Sequence, residues 1–327
     1  MQGISLSGMM DGRGDTNMIR PVVVILGAGA VGLSLAGKLA PVSSVFVACR
    51  PRHASAIRDR GLMMSGTWGD QIVPDITCID GPDASLPDAN FIIITSKGID
   101  TQHICAEYSD LIRSRPVVTL QNGIGNEDVI SRYSGLTIGG TIITNFSIEG
   151  DGHVRVKSES GPVTVGLWNS GNREVLTALV ALMEDAGIPI RIRSDIRSAK
   201  WGKSLLNIAV NPLCALFSVP VGRTGEPDPA RIISRLIAET FAVMDALGIA
   251  VDWPTPEAYL THLFTVQIPD FAQVYPSMYY DIRDGKQTEI ELLNGYVAAE
   301  GDRLGIATPY NHCIADLIRF RQGRSGG

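Results

Sequence analysis

A doubly wound α/β domain followed by an all-helical one is the architecture this sequence predicts, and three observations predict it. Short β-branched apolar runs alternate with helical patterns up to about residue 194. A glycine hexad directly follows the first of those runs. From Asp195 onward the pattern is helical almost throughout. Continuous apolar runs bracketed by helices are the mark of parallel strands covered on both faces. The 327 residues suit two domains, and a 45% hydrophobic share is enough for a core in each. The expected division is an N-terminal extension over 1–19, an α/β domain over 20–194 and a helical domain over 195–327.

The strands expected in order are VVVIL (22–26), VFVAC (45–49), FIIIT (91–95), VVTL (117–120) and LTIGG (136–140). Helices are expected over 30–40, 52–60, 100–114 and 126–133. The stretch 146–168 alternates polar and apolar residues around glycine turns, so it reads as a hairpin attached to the same sheet. In the second half, helices are expected over 196–217, 229–247, 256–266 and 287–305. The first twenty residues carry Asp11, Arg13 and Asp15 without an apolar core, so they read as a loose extension, not a secretory signal. Met18 is an alternative start.

Composition removes several function classes. Lys and Arg number 28 against 34 Asp and Glu, a net charge of -6, and no basic run exists to follow a phosphate backbone. No apolar run reaches the roughly 18 residues of a membrane span. Cys49, Cys78, Cys105, Cys214 and Cys313 are scattered and include no C-x-x-C, so neither a disulfide framework nor a zinc site is expected. A reducing cytoplasm fits that usage.

Gly27-Ala28-Gly29-Ala30-Val31-Gly32 is a G-x-G-x-x-G between a strand and a helix. In that setting the first glycine allows the tight turn and the second lets backbone approach a pyrophosphate. The third allows helix and strand to pack closely. The domain is therefore an N-terminal Rossmann-type doubly wound parallel sheet plus an all-α C-terminal domain. At the end of the second strand an NAD enzyme usually places an acid. Here no acid stands between Thr16 and Arg58, and Arg50 occupies the place where a guanidinium can pair with a 2′-phosphate, so the cofactor expected is NADP(H).

Lys203, Asn207 and Asn211 recur at i, i+4 and i+8 in the helix from 196, which puts them on one face of an otherwise apolar segment. Two readings stay open: hydrogen bonding between helices, or the wall of a substrate pocket in which a Lys ammonium polarises and protonates a carbonyl. A second cluster runs from Pro276 to Glu291, where Thr288-Glu289 is either helix N-terminal chemistry or part of a site. The five histidines (His53, His103, His153, His262, His312) match no catalytic pattern.

With those motifs in hand, the chain resembles the ketopantoate reductase (2-dehydropantoate 2-reductase) family. The resemblance rests on GAGAVG (27–32), SK (96–97), QNGIGNED (121–128), K-x-x-x-N-x-x-x-N-P (203–212), SMYYDIRDGKQTEIELLNG (277–295) and ATPYN (307–311), and spans about residues 20 to 315. It implies that Lys203 is the general acid, that Asn207 and Asn211 hold the substrate, and that Ser277 binds near its carboxylate. It implies that Glu289 lies between cofactor and substrate, and that Lys97 and Asn122 approach the nicotinamide side, Asn122 also touching substrate. The loop 139–146 also approaches the cofactor, with Phe146 where smaller residues are common. The chain departs from the family at Val221-Gly222, where some members present Asn-Gly. The activity implied is NADPH-dependent reduction of 2-dehydropantoate to (R)-pantoate in pantothenate and coenzyme A synthesis. The alternatives are a reductase of another 2-keto acid or a β-hydroxyacid dehydrogenase. The partner expected is a small 2-keto acid, with no nucleic acid and no membrane; a homodimer is left open.

Overall fold

The computed structural model describes residues 20–82, 86–169 and 171–323, so the extension expected over 1–19 lies outside the described residues. Twelve strands are described: β1 (Val22–Leu26), β2 (Ser44–Ala48), β3 (Leu62–Gly66), β4 (Gln71–Val73), β5 (Ile76–Ile79), β6 (Phe91–Ile94), β7 (Val117–Thr119), β8 (Thr137–Thr141), β9 (Asn145–Gly150), β10 (His153–Ser158), β11 (Val163–Leu167) and β12 (Ile190–Ile192). Eight form one sheet in the order β12-β11-β8-β7-β6-β1-β2-β5. Its six central and right-hand members are parallel, as the apolar runs predict, while β11 pairs antiparallel to β8 and carries β12 with it.

Strand order reverses at β1, whose neighbours are β2 and β6; a ligand crevice opens at the carboxyl edge of such a switch point. Both faces of β1 are covered. Val23 and Ile25 pack in a core with Leu33, Leu35 and Leu39 of the first helix, α1 (Ala30–Leu39). Val24 and Leu26 pack on the other side with Cys105 and Ile112, from helices further along the chain. The remaining helices of this half are α2 (Pro51–Arg60), α3 (Thr101–Glu107), α4 (Ser109–Ile112), α5 (Asn126–Ile130) and α6 (Arg173–Asp185). The single helix expected over 100–114 is divided at Tyr108, whose backbone (φ -100, ψ 24) leaves the α region.

The hairpin expected over 146–168 is not attached to the main sheet. β9 and β10 form a hairpin, but β10 pairs with β3 in a separate sheet of order β4-β3-β10-β9, and β11 alone returns to the large sheet. Val154 and Val156 of β10 are buried against the core while Arg155 and Lys157 face out, the alternation of a sheet wet on one side. β3, β4 and β5 are too mixed in pattern to stand out in the sequence. Cys49 and Cys78, distant along the chain, are brought near each other by the pairing of β2 with β5; both are free thiols.

The second half holds α7 (Ile196–Phe217), α8 (Pro227–Ala246), α9 (Pro256–His262), α10 (Ile268–Asp270), α11 (Ser277–Arg283), α12 (Asn294–Leu304) and α13 (Pro309–Gly323). The helix expected over 287–305 starts only at Asn294, because Leu293 (φ -125, ψ -107) breaks it from a short 3₁₀ turn at Ile290–Leu292. α7 begins with Asp195, whose carboxylate accepts from Ser198 N at 3.1 Å. Inside it, Pro212 has no N–H to give to Ile208 O. Asn294 Nδ2 makes good that loss at 3.2 Å and also donates to Asn311 Oδ1 at 3.0 Å. Asn311 donates in turn to Glu239 Oε2 of α8 at 2.8 Å. The Asn-Pro, Leu-Leu-Asn-Gly and Tyr-Asn motifs are thus joined in one buried clamp that sets α7 against α8, α12 and α13. No helix among the described residues is long and apolar enough to cross a membrane.

Candidate active site

The glycine hexad sits where β1 turns into α1, and its three glycines differ in what they meet. A Cβ on Gly27, whose φ is +125, would stand 2.4 Å from Ser96 N, and one on Gly32 would stand 1.9 Å from Gly27 O. Both are therefore required by the protein's own packing. Gly29 is different: its φ of -77 suits any residue, and a Cβ there would come no nearer than 4.0 Å to another atom. The fold does not need a glycine at 29, and the space it leaves lies at the start of α1, which has no side-chain cap on its free N–H groups. With Ala28, Ala30 and Val31 adding no polar side chain, this end of α1 is a cradle for an anion, and a dinucleotide pyrophosphate fits it. Arg50, exposed at the N-cap of α2 directly after β2, supplies a cation at the same sheet edge.

The other site lies between this edge and the helical half. Lys203 of α7 donates from Nζ to Asn122 Oδ1 at 2.9 Å and to Ile142 O at 2.7 Å. Two of its three donors are so used, and one remains for a ligand. Asn211 Nδ2 donates to Asn207 Oδ1 at 3.2 Å, one helical turn apart, as the i, i+4, i+8 spacing predicts. Asn122, Asn207, Asn211, Ser277 and Glu289 together line a narrow polar pocket of about 10 Å³. Its other walls, Met278, Asp281 and Leu293, lie within the 277–295 motif, though nothing in the sequence assigns them a site role. α11, which carries Ser277 and Asp281, was also absent from the expected elements.

The electrostatics of the pocket oppose charge burial with pairing. Withdrawal from solvent pushes the Lys203 ammonium down to about 7; Lys200 adds to that effect and Glu289 opposes it. Burial pushes the Glu289 carboxyl above its ordinary range, against a hydrogen bond from Gly98 N at 3.1 Å and the attraction of Lys97 and Lys203. Glu289 stands at the N-cap of the 3₁₀ turn Ile290–Leu292 but makes no cap bond to it; its carboxylate reaches across to Gly98 N, at the start of the short 3₁₀ turn after β6. Lys97 is held by Asp281 Oδ1 at 2.6 Å and by Gln287 O at 2.9 Å, so it also spans the two halves.

Two residues singled out in the sequence lie outside this pocket. Phe146 is in the smaller sheet, edge-on to Trp68 with ring centroids 5.3 Å apart, and is not among the pocket walls. Val221 is 4% exposed, packed in the helical core with its N–H bonded to Val274 O, so it does not line the pocket either. A buried pair that sequence reasoning missed, Lys200 with Glu127, lies one turn before Lys203. Its only sequence signal is a Lys among apolar neighbours in α7.

Two adjoining family models cover most of the chain: one described as ketopantoate reductase PanE/ApbA matches residues 23–170, and its C-terminal counterpart matches 195–322. The chain belongs to the ketopantoate reductase family. Among ketopantoate reductase relatives, the 2-dehydropantoate 2-reductase of Pyrococcus horikoshii is 31% identical over 93% of this chain and 99% of its own length. That of Aquifex aeolicus is 30% identical over 80% of this chain and 85% of its own. The crystal structure of a PanE/ApbA family ketopantoate reductase from Ralstonia eutropha JMP134 superposes with a TM-score of 0.84 at 28% identity, covering 94% of this chain and all of that one.

Proposed function

We propose that this chain reduces 2-dehydropantoate to (R)-pantoate with NADPH, a step toward pantothenate and coenzyme A, with Lys203 as the proton donor. The observation that carries the reading is the Lys203 ammonium: it has one donor to spare, a pKa brought down to about 7, and two carboxylates and three amides around the pocket beside it. A carbonyl reduction adds a hydride at carbon and a proton at oxygen. NADPH, when bound, supplies the hydride. The backbone of Gly27–Gly32 and the start of α1 would hold its pyrophosphate, and Arg50 its 2′-phosphate.

The chain's own residues supply the rest. Lys203 donates a hydrogen bond to the keto oxygen, and its Nζ–H bond breaks as the O–H bond forms, leaving a neutral amine that solvent protonates again. A donor with a pKa near the working pH gives this proton up readily yet still carries it when substrate arrives. Glu289 favours the charged form of Lys203 and so keeps the donor loaded. Asn207, Asn211 and Ser277 offer hydrogen bonds to the hydroxyl and carboxylate of the acid. Asn122 and Ile142 O aim the Lys203 side chain. Free thiols and the enzyme's small diffusible substrate suit a cytoplasmic setting.

The test is NADPH oxidation with 2-dehydropantoate beside pyruvate, 2-oxoisovalerate and 2-oxopantoyl lactone. A kcat/KM for 2-dehydropantoate about a hundredfold above the others is expected, since a pocket with several polar groups discriminates strongly against acids lacking the matching hydroxyl. Equal or higher values for another keto acid would reassign the substrate.

A further inference from the structure

One buried charge beside the pocket has no part in the steps above. Lys200 is 2% exposed and Glu127 0%, yet their charges meet at 2.8 Å. Neither oxygen of Glu127 accepts a conventional hydrogen bond, so Lys200 is the whole of its compensation among the described residues. Dry ion pairs rarely return the cost of desolvating them, so stability of the fold is a weak reason for this one.

Its placement supplies a better reason. Lys200 Nζ also donates to Gln121 O at 2.7 Å, and Gln121 immediately precedes Asn122, the side chain that holds Lys203. Gln121 is itself fixed, donating from Nε2 to Ser96 O at 3.0 Å and accepting from Thr119 Oγ1 at 2.9 Å. Asn126, at the start of the helix that carries Glu127, donates back to Asn122 O at 3.0 Å. Lys200 is thus a second link, besides Lys203 itself, between α7 and the turn that aims the proton donor.

We propose that Lys200 is a positioning residue for Lys203: clamped by Glu127, it fastens the Gln121–Asn122 turn to α7 and keeps a second positive charge one helical turn from the donor. This rests on the reductase reading above. The charged groups facing Lys203 are Lys200 on its own helix and Glu289 from the segment before Ile290–Leu292; Glu289 in turn faces Lys97 and Asp281. Lys200 faces Glu127, and the neighbouring Asp128 is engaged by Trp168, Tyr296 and Arg197. Like charges disfavour each other's ionised forms, so loss of Lys200 lets Lys203 keep its proton to higher pH. A Glu127 left ionised by that loss pulls the same way.

The experiment compares wild type with Lys200→Arg, Lys200→Met and the double variant Lys200→Met/Glu127→Gln, which leaves no lone buried carboxylate. Two quantities are read against pH: kcat for keto-acid reduction, and the rate at which an amine-reactive ester modifies Lys203, followed by peptide mass spectrometry. The second needs no turnover. The alkaline limb of kcat and the Lys203 labelling midpoint are both expected to move up by about half a unit or more in the double variant, and to stay near wild type in Lys200→Arg. A folded double variant whose labelling midpoint is unmoved would overturn the proposal and make the pair structural only. A shifted labelling midpoint in a chain that reduces no keto acid would uphold the positioning of Lys203 while refuting the reductase reading.

Discussion

Replacing Gly29 by alanine separates what the fold needs from what the cofactor needs. A Cβ at 29 meets nothing closer than 4.0 Å, and the backbone there (φ -77, ψ -177) is ordinary for alanine. The gain of about 0.4–1 kcal/mol from replacing a glycine where alanine fits is offset by the poorer capping of alanine at this N-cap of α1, so Tm stays within roughly 3 °C of wild type. The same methyl occupies the cradle at the start of α1. Keeping a pyrophosphate from one backbone N–H forfeits a charge-assisted hydrogen bond of about 1.5–3 kcal/mol, or roughly 10–100-fold in the Kd for NADPH. Gly32→Ala, with its Cβ 1.9 Å from Gly27 O, is the control that damages folding. Titration of NADPH fluorescence and thermal unfolding of each variant are the assays. Wild-type NADPH affinity in a folded Gly29→Ala protein would refute the assignment of the cradle, and a Gly29→Ala as unstable as Gly32→Ala would refute the packing on which it rests.

The remaining predictions concern the pocket and its supports. Glu289→Gln removes the charge that raises the Lys203 pKa, so the alkaline limb of kcat moves below about 7 and the rate at neutral pH falls; an unmoved limb in the pH profile would exclude Glu289 from the donor's control. Arg50→Ala raises the KM for NADPH by roughly 10–100-fold and spares NADH, in steady-state kinetics with both cofactors; equal weakening of both would make Arg50 structural. Asn294→Ala strands Ile208 O and Asn311 Oδ1 in the helical core and costs about 1–3 kcal/mol, or roughly 2–8 °C in Tm by calorimetry; an unchanged Tm would show that Pro212 needs no such partner.

Most of the frame was legible because its signals are local. Five apolar runs mark five of the six parallel strands, and the hexad and the Lys-Asn-Asn spacing mark two sides of the crevice. The i+4 step between Asn207 and Asn211 appears as a hydrogen bond. What was not legible depends on pairing across the chain. β3 and β10 form a sheet of their own only because each finds the other, and neither carries a pattern that says so. Asp281 and Gln287 meet Lys97 from nearly the far end of the sequence, and Glu289 meets Gly98 in the same way. Lys200 was hidden for a different reason. A lysine in an apolar helix stretch has no partner in its own neighbourhood of sequence, and Glu127 reads locally as a first-turn acid of α5. Phe146 illustrates the converse: a residue placed by its loop in the sequence is held by Trp68 in space.

The central claim, that Lys203 gives the proton while NADPH gives the hydride to 2-dehydropantoate, is tested most directly by Lys203→Ala. The measurement is single-turnover NADPH oxidation with 2-dehydropantoate, alongside NADPH binding by the same variant. A fall in the rate of about 10²–10⁴-fold with NADPH affinity unchanged is the predicted result, the range for loss of a general acid. A fall of less than about tenfold would contradict it, because the proton would then come from water or from another group.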